Sequence, residues 1–157
     1  MQREMRFMQE AIELSRKNLS SGEGGPFGCV IVKHEEIIGR GWNQVGSAND
    51  PTAHAEIVAI REACKKLSTF QLNDCEVYTS CEPCPMCMGA IYWARPEKVY
   101  YANSREDAAR IGFDDSFIYG ELIRDLPDRK IQIINIGAHE ALQVFNEWTN
   151  KTEKLKY

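Results

Sequence analysis

Two short stretches, His54-Ala55-Glu56 and Pro83-Cys84-Pro85-Met86-Cys87, constrain this chain more than anything else in it. They supply one imidazole, two thiols at a three-residue spacing, and a carboxylate two residues past the imidazole. Imidazole and thiolate are ligands that zinc takes, and three protein ligands leave a tetrahedral ion one open position. An open position separates a catalytic zinc from a structural one. The demand on the fold is severe. A helix and a strand separate the two stretches, so the chain must fold back to bring them to one point.

Local chemistry shows how that can happen. Pro85 suits the first position of a helix, where its missing N–H costs nothing. Cys84 and Cys87 then lie on one face of the helix start. The helix dipole there favours thiolate, which is the form a metal binds. His54 and Glu56 are two apart and would not face each other on a regular helix. They can serve one site if the metal lies beyond the helix N-terminus and is approached end-on. Asp50-Pro51-Thr52 carries start signals, which puts His54 in the first turn of a helix over about 53–67. Two helix N-termini are therefore expected to converge on one zinc per chain, held by His54, Cys84 and Cys87. Glu56 is expected to stay off the metal, taking a proton from its water and handing it on to the leaving group. Cys81 is the alternative fourth ligand, and would close the site. His34 and His139, the remaining histidines, read as a hairpin-turn residue and a residue in the first turn of the last helix.

Periodicity fills in the rest. Met5, Met8, Ile12 and Leu19, with Phe7, Ala11 and Leu14 beside them, mark a helix over about 3–19. The Gly- and Ser-rich run from Ser20 to Pro26 breaks it. Phe27–Val32 and Ile37–Trp42 read as a hairpin joined by polar residues. Cys75–Ser80, Pro85–Ala94 and Lys98–Ala102 read as strand, helix and strand, hence a parallel pair with a crossover helix. A short helix is expected near 105–111, a last strand over Ile131–Ile136, and a last helix over Ala138–Trp148. The tail over 149–157 is polar except for Leu155 and Tyr157.

The length of 157 residues fits one domain, 1–157, with a core of useful size. A net charge of −4, with both signs mixed along the chain, argues against a dedicated nucleic-acid binder. Nothing resembles a signal peptide or a membrane span. Six cysteines in such a chain read as reduced thiols, which points to the cytoplasm.

At this point the sequence resembles the cytidine-deaminase-like superfamily, and within it the bacterial guanine deaminases. The segments that carry the likeness are Gly24–Gly28, Asn49–Glu56, Thr79–Cys87, Gly89–Pro96 and Gly112–Tyr119. The zinc motifs are shared with tRNA adenosine deaminases and plant guanosine deaminases; Gly112–Tyr119 is of the guanine type. The resemblance implies an α/β fold, a three-layer α/β/α sandwich around a mixed five-stranded sheet. It implies hydrolysis of guanine to xanthine and ammonia, in purine catabolism or salvage. It also implies homodimers in which C-terminal segments are exchanged. Residue by residue, it makes Asn43 the amide that binds the base, Phe27 and Trp93 aromatics at the ring and the pocket wall, and Ala55 a substrate contact. It makes Asp115 a second carboxylate near the exocyclic amine, and Tyr157 the chain end that closes a pocket, in its own subunit or the partner's.

Physical chemistry agrees with such roles without requiring them. An Asn amide can serve the acceptors of a purine such as guanine, and a carboxylate suits its donors. Taken singly, Phe27 and Trp93 are as readily core or wall residues as stacking surfaces. Asp114 and Asp115 can be loop caps, and Asn43 a turn residue. The alternatives in function are a deaminase of guanosine or another small aminated heterocycle, a tRNA-editing deaminase, and a zinc module without catalysis.

Overall fold

Gly28–Lys33 (β1) decides the layering. Cys29 and Ile31 belong to one buried cluster, Val30 and Val32 to another, so the strand is covered on both faces. Alternation places successive side chains on opposite faces of a sheet, and a strand buried on both needs a layer on each side. In this computed structural model, which describes residues 1–156, helices supply both layers. Gln2–Ser21 (α1) packs Phe7, Met8, Ala11 and Leu14 against Val30, Val32 and Tyr78. It stops at Gly22, whose φ of 68° is a left-handed cap that glycine adopts without strain.

Glu36–Trp42 (β2) pairs antiparallel with β1 through a tight turn at His34 and Glu35, both with positive φ. The expected role of His34 as a turn residue holds. A register shift after Ile31 lets Ile37 pack toward α1 and Ile38 toward the opposite layer. A short helix, Val45–Ala48 (α2), follows, which is not among the elements expected from the sequence. Ala55–Leu67 (α3) then forms the second layer, burying Ala55, Ala59 and Ala63. Small residues are needed on both sides of this contact. A Cβ on Gly41 would stand 2.0 Å from the Ala55 carbonyl oxygen, and one on Gly39 2.4 Å from that of Ala59. The helix backbone therefore lies directly on β2.

Cys75–Cys81 (β3) pairs antiparallel with β1, and Lys98–Asn103 (β4) pairs parallel with β3. Pro85–Ala94 (α4) connects these two strands. The spatial order is β2-β1-β3-β4. Arg105–Arg110 (α5) follows with a full capping box, in which Ser104 and Asp107 satisfy each other's backbone amides.

The sheet has four strands among the described residues, not five. Ile131–Ile136 has the composition of a strand but no ladder, and Ile131, Ile134 and Ile136 are exposed. A run of β-branched residues becomes a strand only where another backbone pairs with it, because β-propensity mostly measures fit to neighbours.

The chain forms two compact units, Met1–Asp115 and the residues from Ser116 on. The second holds Ser116–Leu122 (α6), a 3₁₀ turn at Leu126–Asp128, and Ala138–Asn150 (α7). Helix α6 was not expected; α7 was, with His139 in its first turn. Within the second unit Arg129 donates to the carbonyls of Leu122 and Arg124, and Glu121 accepts from the Lys130 amide. No helix among the described residues is long and apolar enough to cross a membrane.

The contact of α3 with β2 gives a direct test. Gly41→Ala should cost about 1–3 kcal/mol of stability, as overpacking does. Because the blocked atom is the Ala55 carbonyl, beside His54, metal affinity should fall as well. A melting temperature and zinc content equal to those of the unaltered chain would show that the contact yields easily.

Candidate active site

The loop before each helix delivers a metal ligand. His54 is the N-cap of α3 and Cys84 the N-cap of α4, both in extended backbone. His54 thus stands one residue ahead of the helix, not in its first turn. Pro85 follows Cys84 at the start of α4, and Cys87 lies within its first turn. The two helix starts do converge. His54 Nδ1 is 3.5 Å from Cys84 Sγ and 3.5 Å from Cys87 Sγ. All three ligand atoms lie within 4.8 Å of one another.

These distances suit zinc. With Zn–S near 2.3 Å and Zn–N near 2.0 Å, a tetrahedral edge between nitrogen and sulfur is about 3.5 Å. Cys87 is buried, whereas His54 and Cys84 are half-buried, so the trio has an accessible side. Among the described residues no further histidine, cysteine or carboxylate joins the group. Cys81 turns elsewhere, its thiol meeting the Ser104 carbonyl at 3.6 Å.

The electrostatics of the trio are those of a site waiting for a cation. Cys84 is pulled down to about 4, first by the hydrogen bond from Cys87 and then, against burial, by His54. Cys87 is pushed up by that same bond and by burial. His54 is raised by its bond to Cys84. Within the trio Cys84 is thus favoured as thiolate, while the proton is held more firmly on Cys87 and His54. A metal that binds all three displaces those protons.

Glu56 lies in the first turn of α3, only 6% exposed. Its Oε1 accepts a hydrogen bond from Thr79 Oγ1 at 3.1 Å. Burial raises its pKa, opposed by a backbone amide and by bonds from Cys87 and Thr79. A buried carboxyl with a raised pKa is suited to carry a proton near neutral pH.

The expected substrate residues are placed as follows. Asn43 ends the hairpin and is buried; its Oδ1 accepts from the Val45 amide at 3.2 Å, so it is a turn residue as well. Phe27 meets Phe113 edge-on, with ring centroids 5.0 Å apart. Ala55 is fully buried at the start of α3. Asp115 is half-buried, and its carboxyl is pushed up by burial and then by the negative charge of Cys84. Trp93 is 63% exposed near the far end of α4, away from the helix start that carries the cysteines. Tyr157 lies outside the described residues.

Three residues not singled out from sequence bear on the site. Asn18 is buried in α1 and donates from Nδ2 to the carbonyls of Gly25 and Asn43, both at 2.7 Å. It thereby ties together the loops that carry Phe27 and Asn43. The signal was present, because Asn18 follows Ala11 and Leu14 along the buried stripe of α1. Thr79 shares a strand face with Val77, toward α3, which alternation also predicts. Phe113 lies in the Gly112–Tyr119 segment that carries the family likeness, but no periodicity pointed to its contact with Phe27.

The family model for the cytidine and deoxycytidylate deaminase zinc-binding region matches residues 1–103. The chain belongs to this family of zinc-binding deaminases. It is 52% identical over 151 residues to guanine deaminase of Bacillus subtilis (strain 168), an alignment covering 96% of this chain and 97% of that one. The X-ray structure of guanine deaminase from Bacillus subtilis superposes with a TM-score of 0.94, covering 98% of each chain at 52% identity. A tRNA-specific adenosine deaminase of Aquifex aeolicus (strain VF5) is 44% identical over 96 residues, 61% of this chain and 63% of its own. A structure solved with 2,6-diaminopurine matches with a TM-score of 0.64 at 36% identity, covering 69% of this chain and 61% of the other.

Proposed function

We propose that this protein is a zinc-dependent guanine deaminase, which hydrolyses guanine to xanthine and ammonia. The observation that carries the reading is a cluster of three side chains able to hold a metal ion, with a buried carboxyl of raised pKa beside it. It stands in a chain that resembles a guanine deaminase over nearly its whole length.

A zinc ion held by His54, Cys84 and Cys87 supplies Lewis acidity and activates water at neutral pH. The protein supplies the rest. Glu56 accepts a proton from that water and delivers one to the departing amine, so its own charge is restored at the end of the cycle. Asn43 has its carbonyl oxygen engaged by Val45, which leaves the amide N–H groups as donors for acceptors on the base. Asp115 accepts from the base's N–H groups. Phe27, braced edge-on by Phe113, offers a ring face. A pocket that pairs these groups disfavours a base whose donors and acceptors are reversed, because its polar groups would be left unpaired.

We also infer a homodimer with exchanged C-terminal segments. Two features favour it. Among the described residues strand β4 is an edge of the sheet, paired with β3 alone. In the second unit the strand-like Ile131–Ile136 segment is largely exposed, as is the stripe Leu142, Phe145 and Trp148 of α7. Apolar surface of this extent is ordinarily covered in an assembly. Exposed Trp93 would line a pocket only as a wall between copies. The tail and Tyr157 would close such a pocket over the base. The free cysteines fit a reducing compartment such as the cytoplasm.

Ammonia release from guanine, guanosine, adenine, cytosine and cytidine, measured side by side with zinc-loaded protein, tests the substrate. Guanine should be the preferred substrate. Preference for guanosine or a pyrimidine would reject this reading, and turnover only on tRNA would favour the editing one. Metal analysis should find one zinc per chain, and a second stoichiometric zinc would defeat the three-ligand assignment.

Glu56→Gln should keep zinc while lowering turnover by about 10²–10⁴-fold, the worth of positioned acid–base catalysis. Normal turnover at full zinc content would remove Glu56 from the reaction. Asp115→Asn should weaken guanine turnover far more than zinc content. Lower thermal stability with unchanged turnover per folded molecule would instead make Asp115 a loop cap. Sedimentation should show a dimer, and a monomer with full activity would dismiss segment exchange.

A further inference from the structure

Glu56 sits on the floor of the site, where β3 and β1 run side by side. Its Oε1 is 3.1 Å from Thr79 Oγ1, and both residues are buried. Thr79 pairs across the ladder with Cys29. Cys29 and, farther along β3, Cys81 feel the same carboxylate, since its charge adds to burial in pushing both thiols up. Thr79 is thus the one hydroxyl among the groups that bond Glu56, beside a backbone amide and the Cys87 thiol.

The hydroxyl differs from the thiols in what it can hold. An O–H is a stronger donor than an S–H, and a threonine hydroxyl has a single hydrogen to give. Buried, that hydrogen needs an acceptor, and Glu56 Oε1 is at hydrogen-bond distance. Threonine is also β-branched, so in a packed strand its χ1 is restricted and the donor stays in place. The last torsion of a glutamate is broad by comparison, and a carboxylate without such an anchor turns readily.

We infer that Thr79 is a positioning residue, whose hydroxyl holds Oε1 of Glu56 and so fixes the orientation in which its carboxyl meets water and substrate. This rests on the reading of Glu56 as the proton carrier given above. Thr79 is not one of the candidate metal ligands and acts through Glu56.

Thr79→Val removes the hydroxyl and keeps the shape. A misplacement of a reacting group by about 1 Å can cost about 10²-fold in rate, so kcat on guanine should fall by up to that factor. KM should stay within about twofold, because a group that acts only in the transition state leaves ground-state binding alone. Zinc content should be unchanged. Thr79→Ser, which restores the donor without the methyl group, should recover most of kcat. A crystal structure of zinc-loaded Thr79→Val should show the Glu56 carboxylate rotated or split between orientations.

Unchanged kcat with Glu56 unmoved overturns the proposal. So do equal losses in Thr79→Val and Thr79→Ser, which would mean that the methyl packing matters and not the hydroxyl. A fall in kcat that follows zinc content overturns it too, by making Thr79 part of the metal scaffold. Should Thr79→Val fail to fold, Thr79→Ser against Thr79→Ala reads the hydroxyl alone, with the same outcomes deciding. If the unaltered protein releases no ammonia from guanine, the substrate reading fails. The orientation of Glu56 in the crystals, and kcat on whichever base is accepted, then judge Thr79 independently.

Discussion

The fold turns on holding two helix N-termini against each other across a few ångströms. His54 heads α3 and Cys84 heads α4, and their ligand atoms are 3.5 Å apart. Each helix is placed by the sheet beneath it. Helix α3 is seated on β2 through Gly39 and Gly41, where no side chain could intervene. Helix α4 is fixed by the parallel pair that it connects, β3 and β4. Because β1 lies between β2 and β3, the metal ligands depend on the β1 ladders to both. A strand buried on both faces is therefore also one whose register sets the site.

That geometry gathers negative charge where solvent does not help. Cys84 is drawn to the thiolate form, and Glu56 is buried beside the two cysteines. Two helix dipoles point their positive ends at the cluster, but each is worth only about half a charge. A divalent cation held by His54, Cys84 and Cys87 would offset that charge and favour the ionised form of Glu56. Metal affinity and carboxylate function are thus linked by one electrostatic field.

Much of this was legible in the residues. The motifs at His54 and Cys84 gave the ligands, and Pro85 and the start signals near Asp50 gave the helix ends. Hydrophobic periodicity gave α1, α3 and α4 with the strands β1 to β4, which bury side chains within the first unit, and it also gave α7, whose stripe is exposed. His54 was misplaced by one residue, since a capping position and a first turn carry the same signals. Helix α2 was hidden in the four residues Val45 to Ala48, too short for any periodicity, whose order comes from bonds made outside them. The Glu23 carbonyl accepts from Gly46 and Ser47, and Asn43 receives the Val45 amide. No pattern within four residues could reveal partners that far along the chain.

The fifth strand failed for a deeper reason, and it marks what a single chain can express. Ile131–Ile136 has every local property of a strand, while its backbone pairs with nothing among the described residues. Helices earn most of their hydrogen bonds from their own residues, so a periodic stretch such as α7 folds even with Leu142, Phe145 and Trp148 exposed. A strand owes every ladder bond to another segment. The same sequence rule therefore succeeds for α7 and fails for Ile131–Ile136. The difference lies in where the bonds come from: a helix carries its partners within its own sequence, and a strand-former such as Ile131–Ile136 can be read as a strand only when the segment that would pair with it is known.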